Sequence, residues 1–234
     1  MIKTDLKNIL FTRSLNDEHH AFGKNLGLQL TDKAFIEVEL NHISEDQINL
    51  INSKIEATWI FTSQNAVRSI GKVLHRLANI EEKKCFAVGQ KTAQELAKMG
   101  IRALIPEHHN SQALIDLLDN NKAGSFIYFT GNLRQSTIIN FFEENEIDFE
   151  EIETYQTKLI QPELEIENFN GVCFCSPSAV VSFFKKYKLE ESVPCFAIGN
   201  TTAVKLLDYS GHVVMAEKTN VFSLLEICHN YLNS

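Results

Sequence analysis

The amino-acid sequence predicts an α/β protein with two similar domains, each a parallel five-stranded sheet flanked by helices. One observation is an internal repeat: residues 59–67 and 85–93 recur in similar form as residues 172–180 and 195–203. A second is that short apolar segments alternate with amphipathic segments along the chain, which is typical of parallel sheets. Each repeated segment combines an apolar strand, a polar turn and a helix start. We therefore expect two lobes whose strand-end turns face a shared cleft.

Apolar segments of strand length occur in both halves of the sequence. In the first half they are residues 8–12, 34–40, 57–61, 84–88 and 102–105, and in the second half residues 125–129, 149–155, 171–175, 194–198 and 212–216. Amphipathic stripes such as Val67, Ile70 and Leu74 predict helices that pack against these strands. The arrangement predicted for each half is flavodoxin-like.

Two segments depart from the continuous apolar pattern of a buried parallel strand. In residues 37–39 and 151–153, glutamates alternate with a single aliphatic residue. Such alternation is typical of an exposed strand with one wet face. We expect these segments to form a two-stranded linker that joins the two domains.

Composition excludes several classes of function. The chain has 234 residues, 44% of them hydrophobic, and a formal net charge of −8, which disfavours nucleic acid as a partner. No apolar run reaches membrane-spanning length, and the first residues lack the apolar core of a signal peptide, so we expect a cytoplasmic protein and no membrane partner. Five cysteines without a CxxC pair fit reduced thiols in the core. We expect a monomer.

Neither the histidines nor the glycines predict a metal or a cofactor. The pairs His19-His20 and His108-His109 are adjacent, so their side chains diverge, and no HExxH pattern occurs. Glycine-rich phosphate loops of the nucleotide-binding kinds are also missing from the sequence. We expect no metal site and no cofactor.

The strand-end turns are the candidate binding elements, because the first N–H groups of a helix bind anions well. The residues concerned are Thr62, Ser63, Gln64 and Asn65, then Gly131 and Asn132, then Ser176, Pro177, Ser178 and Ala179, and finally Gly199 and Thr201. The same serines and threonines also suit simple helix caps. Arg13 and Arg134 are candidate carboxylate clamps or, alternatively, solvated surface charges.

Taken in order, these motifs resemble the uroporphyrinogen-III synthase family over nearly the whole chain. The matching segments are residues 11–13, 62–67, 87–93, 130–134, 155–157, 176–180 and 197–203. The resemblance implies a chain that begins one domain, builds a second and returns to finish the first. The implied domains are residues 1–37 with 158–234, and residues 40–154, with crossovers near 38–40 and 155–158.

The resemblance also implies an activity, that of a cyclising hydro-lyase in haem biosynthesis. The implied substrate is hydroxymethylbilane, a flexible tetrapyrrole polycarboxylate, which loses water and closes with inversion of its last pyrrole ring. In this family the tyrosine that matches Tyr155 is the best candidate for a catalytic contact, and its hydroxyl would hydrogen-bond the departing hydroxyl group. Two alternatives remain: a non-catalytic two-lobed binder of a tetrapyrrole or other anionic metabolite, and a binder or transferase for phosphorylated metabolites.

Overall fold

The computed structural model describes residues 6–108, 110–119 and 124–233. The first part of the chain contains β1 (Lys7–Phe11), α1 (Asp17–Asn25), β2 (Leu28–Asp32), β3 (Ile36–Leu40), α2 (Glu45–Ser53), β4 (Thr58–Phe61), α3 (Gln64–Gly71), β5 (Cys85–Ala87), α4 (Gln90–Ala97), β6 (Ala103–Leu104) and α5 (Ser111–Asp119). The rest contains β7 (Phe126–Gly131), α6 (Thr137–Glu144), β8 (Phe149–Leu159), β9 (Gly171–Phe174), α7 (Pro177–Phe184), β10 (Cys195–Ala197), α8 (Asn200–Leu206), β11 (Val213–Met215) and α9 (Val221–Leu232).

The chain divides into two compact units. One holds the described residues up to Glu37 and from Lys158 onward, and the other runs from Val38 to Thr157. Strand and helix alternate through both units, so the predicted α/β class with parallel strands and flanking helices is confirmed.

The sheet of the first unit has the strand order β11-β10-β9-β1-β2, and all its pairings are parallel. Both of its faces are covered. Ile9 and Phe11 belong to one buried cluster with residues of α9, whereas Leu10 packs on the other side with Phe183 of α7. Burial on both faces explains why these strands read as nearly continuous apolar runs.

One strand of this sheet was missing from the sequence prediction. β2 begins at Leu28, directly after Gly27, whose φ of 73° lies in the left-handed region that favours glycine. This turn ends α1 and returns the chain at once beside β1, where Leu28 is opposite Lys7. β2 is an edge strand in which only Leu28 is fully buried, so its hydrophobic signal is weak.

The sheet of the second unit differs from the predicted parallel five-stranded sheet, because it has six strands in the order β3-β8-β7-β4-β5-β6 and is mixed. β8 runs parallel to β7. Its pairing with β3 is antiparallel, since Asn41 N–H donates to Thr154 O at 2.9 Å while Ile160 N–H donates to Phe35 O at 2.9 Å. The predicted strand 34–40 is thus β3, an edge strand of this sheet.

The glutamate-rich segment 151–153 was wrongly assigned to a linker. In the structure Glu151, Ile152 and Glu153 lie opposite Tyr128, Phe129 and Thr130 within the parallel pairing of β7 and β8. Ile152 is buried while both glutamates are exposed. The alternation of charged and aliphatic residues therefore indicates a strand within the sheet that has one solvent-exposed face.

An aromatic core supports the carboxyl ends of β4 and β7. Phe61 stacks on Phe129 with ring centroids 4.7 Å apart, and Trp59 meets Phe129 edge to face at 5.2 Å. All three side chains are fully buried. The residues that follow these two strands are therefore held by a rigid base.

None of the five cysteines forms a disulfide, and Cys85, Cys173, Cys195 and Cys228 are buried in the core, as expected for reduced thiols, whereas Cys175 is only half-buried. Across the described ranges, no helix is long and apolar enough to cross a membrane.

Candidate functional site

The turn after β4 is built as a helix start. Ser63 is the N-cap of α3, and its Oγ accepts a hydrogen bond from Asn65 N–H at 3.1 Å. Thr62 does not cap the helix, because its hydroxyl bonds the Tyr128 hydroxyl at 3.2 Å. Burial raises the pKa of Tyr128. The predicted donors of this turn are thus the backbone groups at the N-terminus of α3, with Asn65 N–H already engaged.

The turn after β7 is not a helix start, which corrects the prediction for Gly131 and Asn132. Gly131 is the last residue of β7, and α6 begins only at Thr137. Asn132 N–H donates to Tyr155 O at 3.3 Å, so this backbone donor is already used. The Asn132 side chain bonds the backbone of Thr157, accepting from its N–H at 2.8 Å and donating to its carbonyl at 3.3 Å.

Arg134 is also engaged. Its guanidinium forms a two-pronged ion pair with the Glu151 carboxylate, with Nη2 donating to Oε2 at 2.8 Å and Nε donating to Oε1. Both side chains are 30% exposed, and the pairing raises the pKa of Arg134. The geometry therefore gives no support to Arg134 as a free carboxylate clamp.

Tyr155 lies within β8 opposite Gly131, and these two residues form the last pair between β7 and β8. Its ring is half-buried against the cluster that contains Phe129 and Ile152. None of the described residues shares a hydrogen bond with its hydroxyl group. The phenol proposed to contact a substrate is therefore available as a donor.

In the first unit, the turn after β9 leads into α7. Ser176 is the N-cap, and its Oγ accepts from Ala179 N–H at 3.2 Å and lies 3.2 Å from Ser178 Oγ. Pro177 has no N–H group, and its position at the start of the helix fits its fixed φ. The run from Ser176 to Ala179 therefore offers fewer free donors than the sequence suggested.

The turn after β10 is a second helix start in this unit. Gly199 is the N-cap of α8 with an extended backbone, and its carbonyl accepts from Thr202 N–H and Ala203 N–H at 3.1 and 3.0 Å. Thr201 is exposed in the first turn of α8. Its N–H is one of the early helix donors that have no partner within the helix.

A cavity of about 310 Å³ lies beside two of these strand ends in the first unit, lined by Thr12, Arg13, Ser14, Ala34, Ile36, Cys175 and Ser176. Within the described part of the chain, Arg13 forms no ion pair, and its Nε makes only a long contact of 3.4 Å to the neighbouring Ser14 O. Thr12 is fully buried and donates to Cys173 O at 3.0 Å. This cavity combines a free guanidinium with a helix N-terminus, which suits a carboxylate.

Sequence reasoning missed several residues of these sites. Tyr128 and Cys175 were assigned to strands alone and Glu151 to the linker, yet all three contact or line these sites. A usable signal was present for Tyr128, because a buried tyrosine near a strand end needs a hydrogen-bond partner for its hydroxyl. For Cys175 no signal in the sequence distinguishes a lining residue from a core residue.

The histidines show no metal arrangement in the part of the chain that the structure describes, where no three candidate ligands come together. His19 completes the N-terminal cap of α1, and His20 Nε2 lies 2.9 Å from Asp32 Oδ1. Of the second pair, His109 lies outside the described residues.

The fold and the site define a class: an α/β protein with polar strand-end turns, capped helix N-termini and a free arginine, suited to a small anionic ligand. The model of the family "Uroporphyrinogen-III synthase HemD" matches residues 24–226. The chain belongs to the uroporphyrinogen-III synthase family.

Individual relatives agree with this assignment. A uroporphyrinogen-III synthase of Chlorobaculum parvum is 29% identical over 163 aligned residues, which cover 61% of this chain and 66% of that protein. A crystal structure of uroporphyrinogen-III synthetase from Helicobacter pylori has a TM-score of 0.67 at 20% identity, covering 96% of this chain and 99% of that one. A mutant uroporphyrinogen III synthase from Thermus thermophilus has a TM-score of 0.74 at 18% identity, with coverage of 97% and 99%. At these identities the structures support the fold.

Proposed function

We propose that this protein is an active uroporphyrinogen-III synthase, which closes hydroxymethylbilane with loss of water and inversion of the last pyrrole ring. The observation that carries the proposal is the family match over residues 24–226, a span that includes the strand-end turns and Tyr155. We also propose that the two compact units are two domains, as the sequence predicts.

The carboxylate arms of the substrate are assigned to the strand-end turns. In the first unit, Arg13 and the N-terminus of α7 lie beside one cavity and together provide a positive charge and a helix dipole. In the second unit, the N-terminus of α3 provides backbone donors next to Thr62. These local donors explain how a chain of net charge −8 can bind a polyanion.

Tyr155 is assigned to the departing hydroxyl group. Its hydroxyl has no partner among the described residues, while its ring is held by the core of the second unit. A positioned O–H donor can stabilise a leaving hydroxyl without any cofactor. The remaining task of the enzyme is to fold the flexible chain so that the inverted closure is favoured, which is control by proximity and orientation.

The direct test is to add freshly prepared hydroxymethylbilane to the purified protein and to separate the uroporphyrin isomers after oxidation. We expect protein-dependent formation of the type III isomer. Prior treatment with a chelator should leave this rate unchanged, because the mechanism assigns no step to a metal. If chelation abolished activity and an added metal restored it, the cofactor-free mechanism would be wrong.

Ser176 tests whether the turns bind through their backbone. Because Ser176 Oγ is engaged with Ala179 N–H, Ser176→Ala should lower the free energy of unfolding by about 0.5–2 kcal/mol and change KM little. Ser176→Leu places a branched side chain at the cavity wall and should raise KM several-fold. Ser192→Leu, in an exposed loop of the same unit, is the matched control. Equal increases in KM for the alanine and leucine variants would indicate recognition by the side chain.

A further inference from the structure

The backbone around Tyr155 contains an irregularity that sets the direction of its ring. Along the pairing of β7 and β8, Thr130 is opposite Glu153 but Gly131 is opposite Tyr155, so Thr154 is an extra residue. This is a β-bulge, a feature that re-aims the side chains that follow it.

The bulge changes the face on which Tyr155 lies. In a regular strand, residues three apart point to opposite faces of the sheet. Here Ile152 and Tyr155 are three apart, yet both pack against the same buried cluster that includes Phe129. Without the extra residue, the ring of Tyr155 would lie on the face occupied by Glu151 and Glu153.

Several hydrogen bonds hold the bulge in place. The buried hydroxyl of Thr154 donates to Thr130 O at 2.9 Å, and Thr154 O accepts from Asn41 N–H at 2.9 Å. Asn132 then closes the segment, because its backbone N–H bonds Tyr155 O and its side-chain amide bonds both backbone groups of Thr157. Thr154 and Thr157, which flank Tyr155, are thus held by hydrogen bonds to residues at the ends of β3 and β7.

Gly131 makes room for the ring. A Cβ atom at this position would overlap the Tyr155 ring atoms Cζ, Cε2 and Cε1, the farthest of them 2.8 Å away. Ordinary carbon contacts are about 3.5–4.0 Å, so an alanine here would displace the end of the ring that carries the hydroxyl. The three nearest atoms all belong to the Tyr155 side chain, so the ring is the part that must move.

We infer that Gly131 and Asn132 are positioning residues for Tyr155: their contribution to the reaction is to direct its hydroxyl, and they do not bind the substrate themselves. This inference rests on the proposed function for the role of Tyr155. It replaces the sequence-based expectation that both residues are substrate ligands. It also explains why the side chain of Asn132, although exposed, hydrogen-bonds the backbone of Thr157.

The test is a double-mutant cycle between Gly131→Ala and Tyr155→Phe, measured as kcat and KM for type III product. In the wild-type background we expect Gly131→Ala to lower kcat by about 10–100-fold with little change in KM, since small misplacements of a reacting group have effects of this size. In the Tyr155→Phe background the ring clash persists but no hydroxyl remains to be directed. There the alanine should lower kcat by less than about twofold.

Equal losses of kcat in both backgrounds, or a change confined to KM, would overturn the inference. Should Gly131→Ala fail to fold, Asn132→Ala enters the same cycle with the same expectation. Gly211→Ala is the matched glycine control, because a Cβ there meets no atom within 4 Å. If the wild-type protein makes no type III product, the proposed function is wrong. The positioning role of Gly131 is then tested by the crystal structure of Gly131→Ala. A Tyr155 ring that has not moved in that structure would contradict the positioning role.

Discussion

Replacing Tyr155 by phenylalanine should lower turnover by up to about 10²-fold, the low end of the range for general-acid assistance. The low end is expected because hydroxymethylbilane loses its hydroxyl group readily without an enzyme. The ring remains, so its packing against the cluster of Phe129 and Ile152 should persist and the melting temperature should be unchanged. The product that does form should remain mainly type III, since orientation of the last ring is assigned to the strand-end turns.

Initial rates and isomer ratios measured on the same samples check this prediction. Tyr209→Phe is the matched control, because this phenol is 43% exposed and stacks on Phe184 in the other unit. Wild-type turnover in Tyr155→Phe would remove its catalytic role. Mainly type I product from enzyme-dependent turnover would instead assign Tyr155 to substrate orientation.

Replacing Arg13 by glutamine should lower kcat/KM by about tenfold, which corresponds to about 1.4 kcal/mol. Charged hydrogen bonds contribute about 1.5–3 kcal/mol, and the exposure of Arg13 places the effect at the lower end. Arg134→Gln is an informative comparison because its charge is already paired with Glu151. We expect that variant to change kcat/KM by less than about twofold.

The kcat/KM values of the Arg13→Gln and Arg134→Gln variants are measured by steady-state kinetics at low and at high salt. The Arg13 effect should shrink as salt rises, since screening weakens an exposed charge interaction. A larger loss in Arg134→Gln than in Arg13→Gln would contradict the assignment. It would show that the ion pair with Glu151 opens when substrate binds.

The sequence predicted the strands that are buried on both faces, because their apolar runs are nearly continuous. Segments 57–61 and 171–175 correspond closely to β4 and β9. It failed at the edges of the sheets, where burial is partial. β2 was missed, and the role of β8 was misjudged, because an edge or half-exposed strand is specified by its neighbours rather than by its own hydrophobicity.

The candidate site was predictable in position but less so in role. Strand-end turns follow from the alternation of strands and helices, so Ser63 and Ser176 could be recognised as helix caps. What each side chain bonds is decided by residues distant in sequence. Arg134 and Asn132 look alike as free polar groups in the sequence, yet their partners Glu151 and Thr157 become visible only once β7 and β8 are paired.

We propose that this chain catalyses the inverted closure of hydroxymethylbilane. The most direct measurement is the initial rate of type III formation as protein concentration is raised at fixed substrate. We expect a rate proportional to protein concentration and a falling share of the type I isomer, which forms spontaneously. If the protein bound hydroxymethylbilane but type I remained the product at every protein concentration, the protein would be a binding protein without synthase activity.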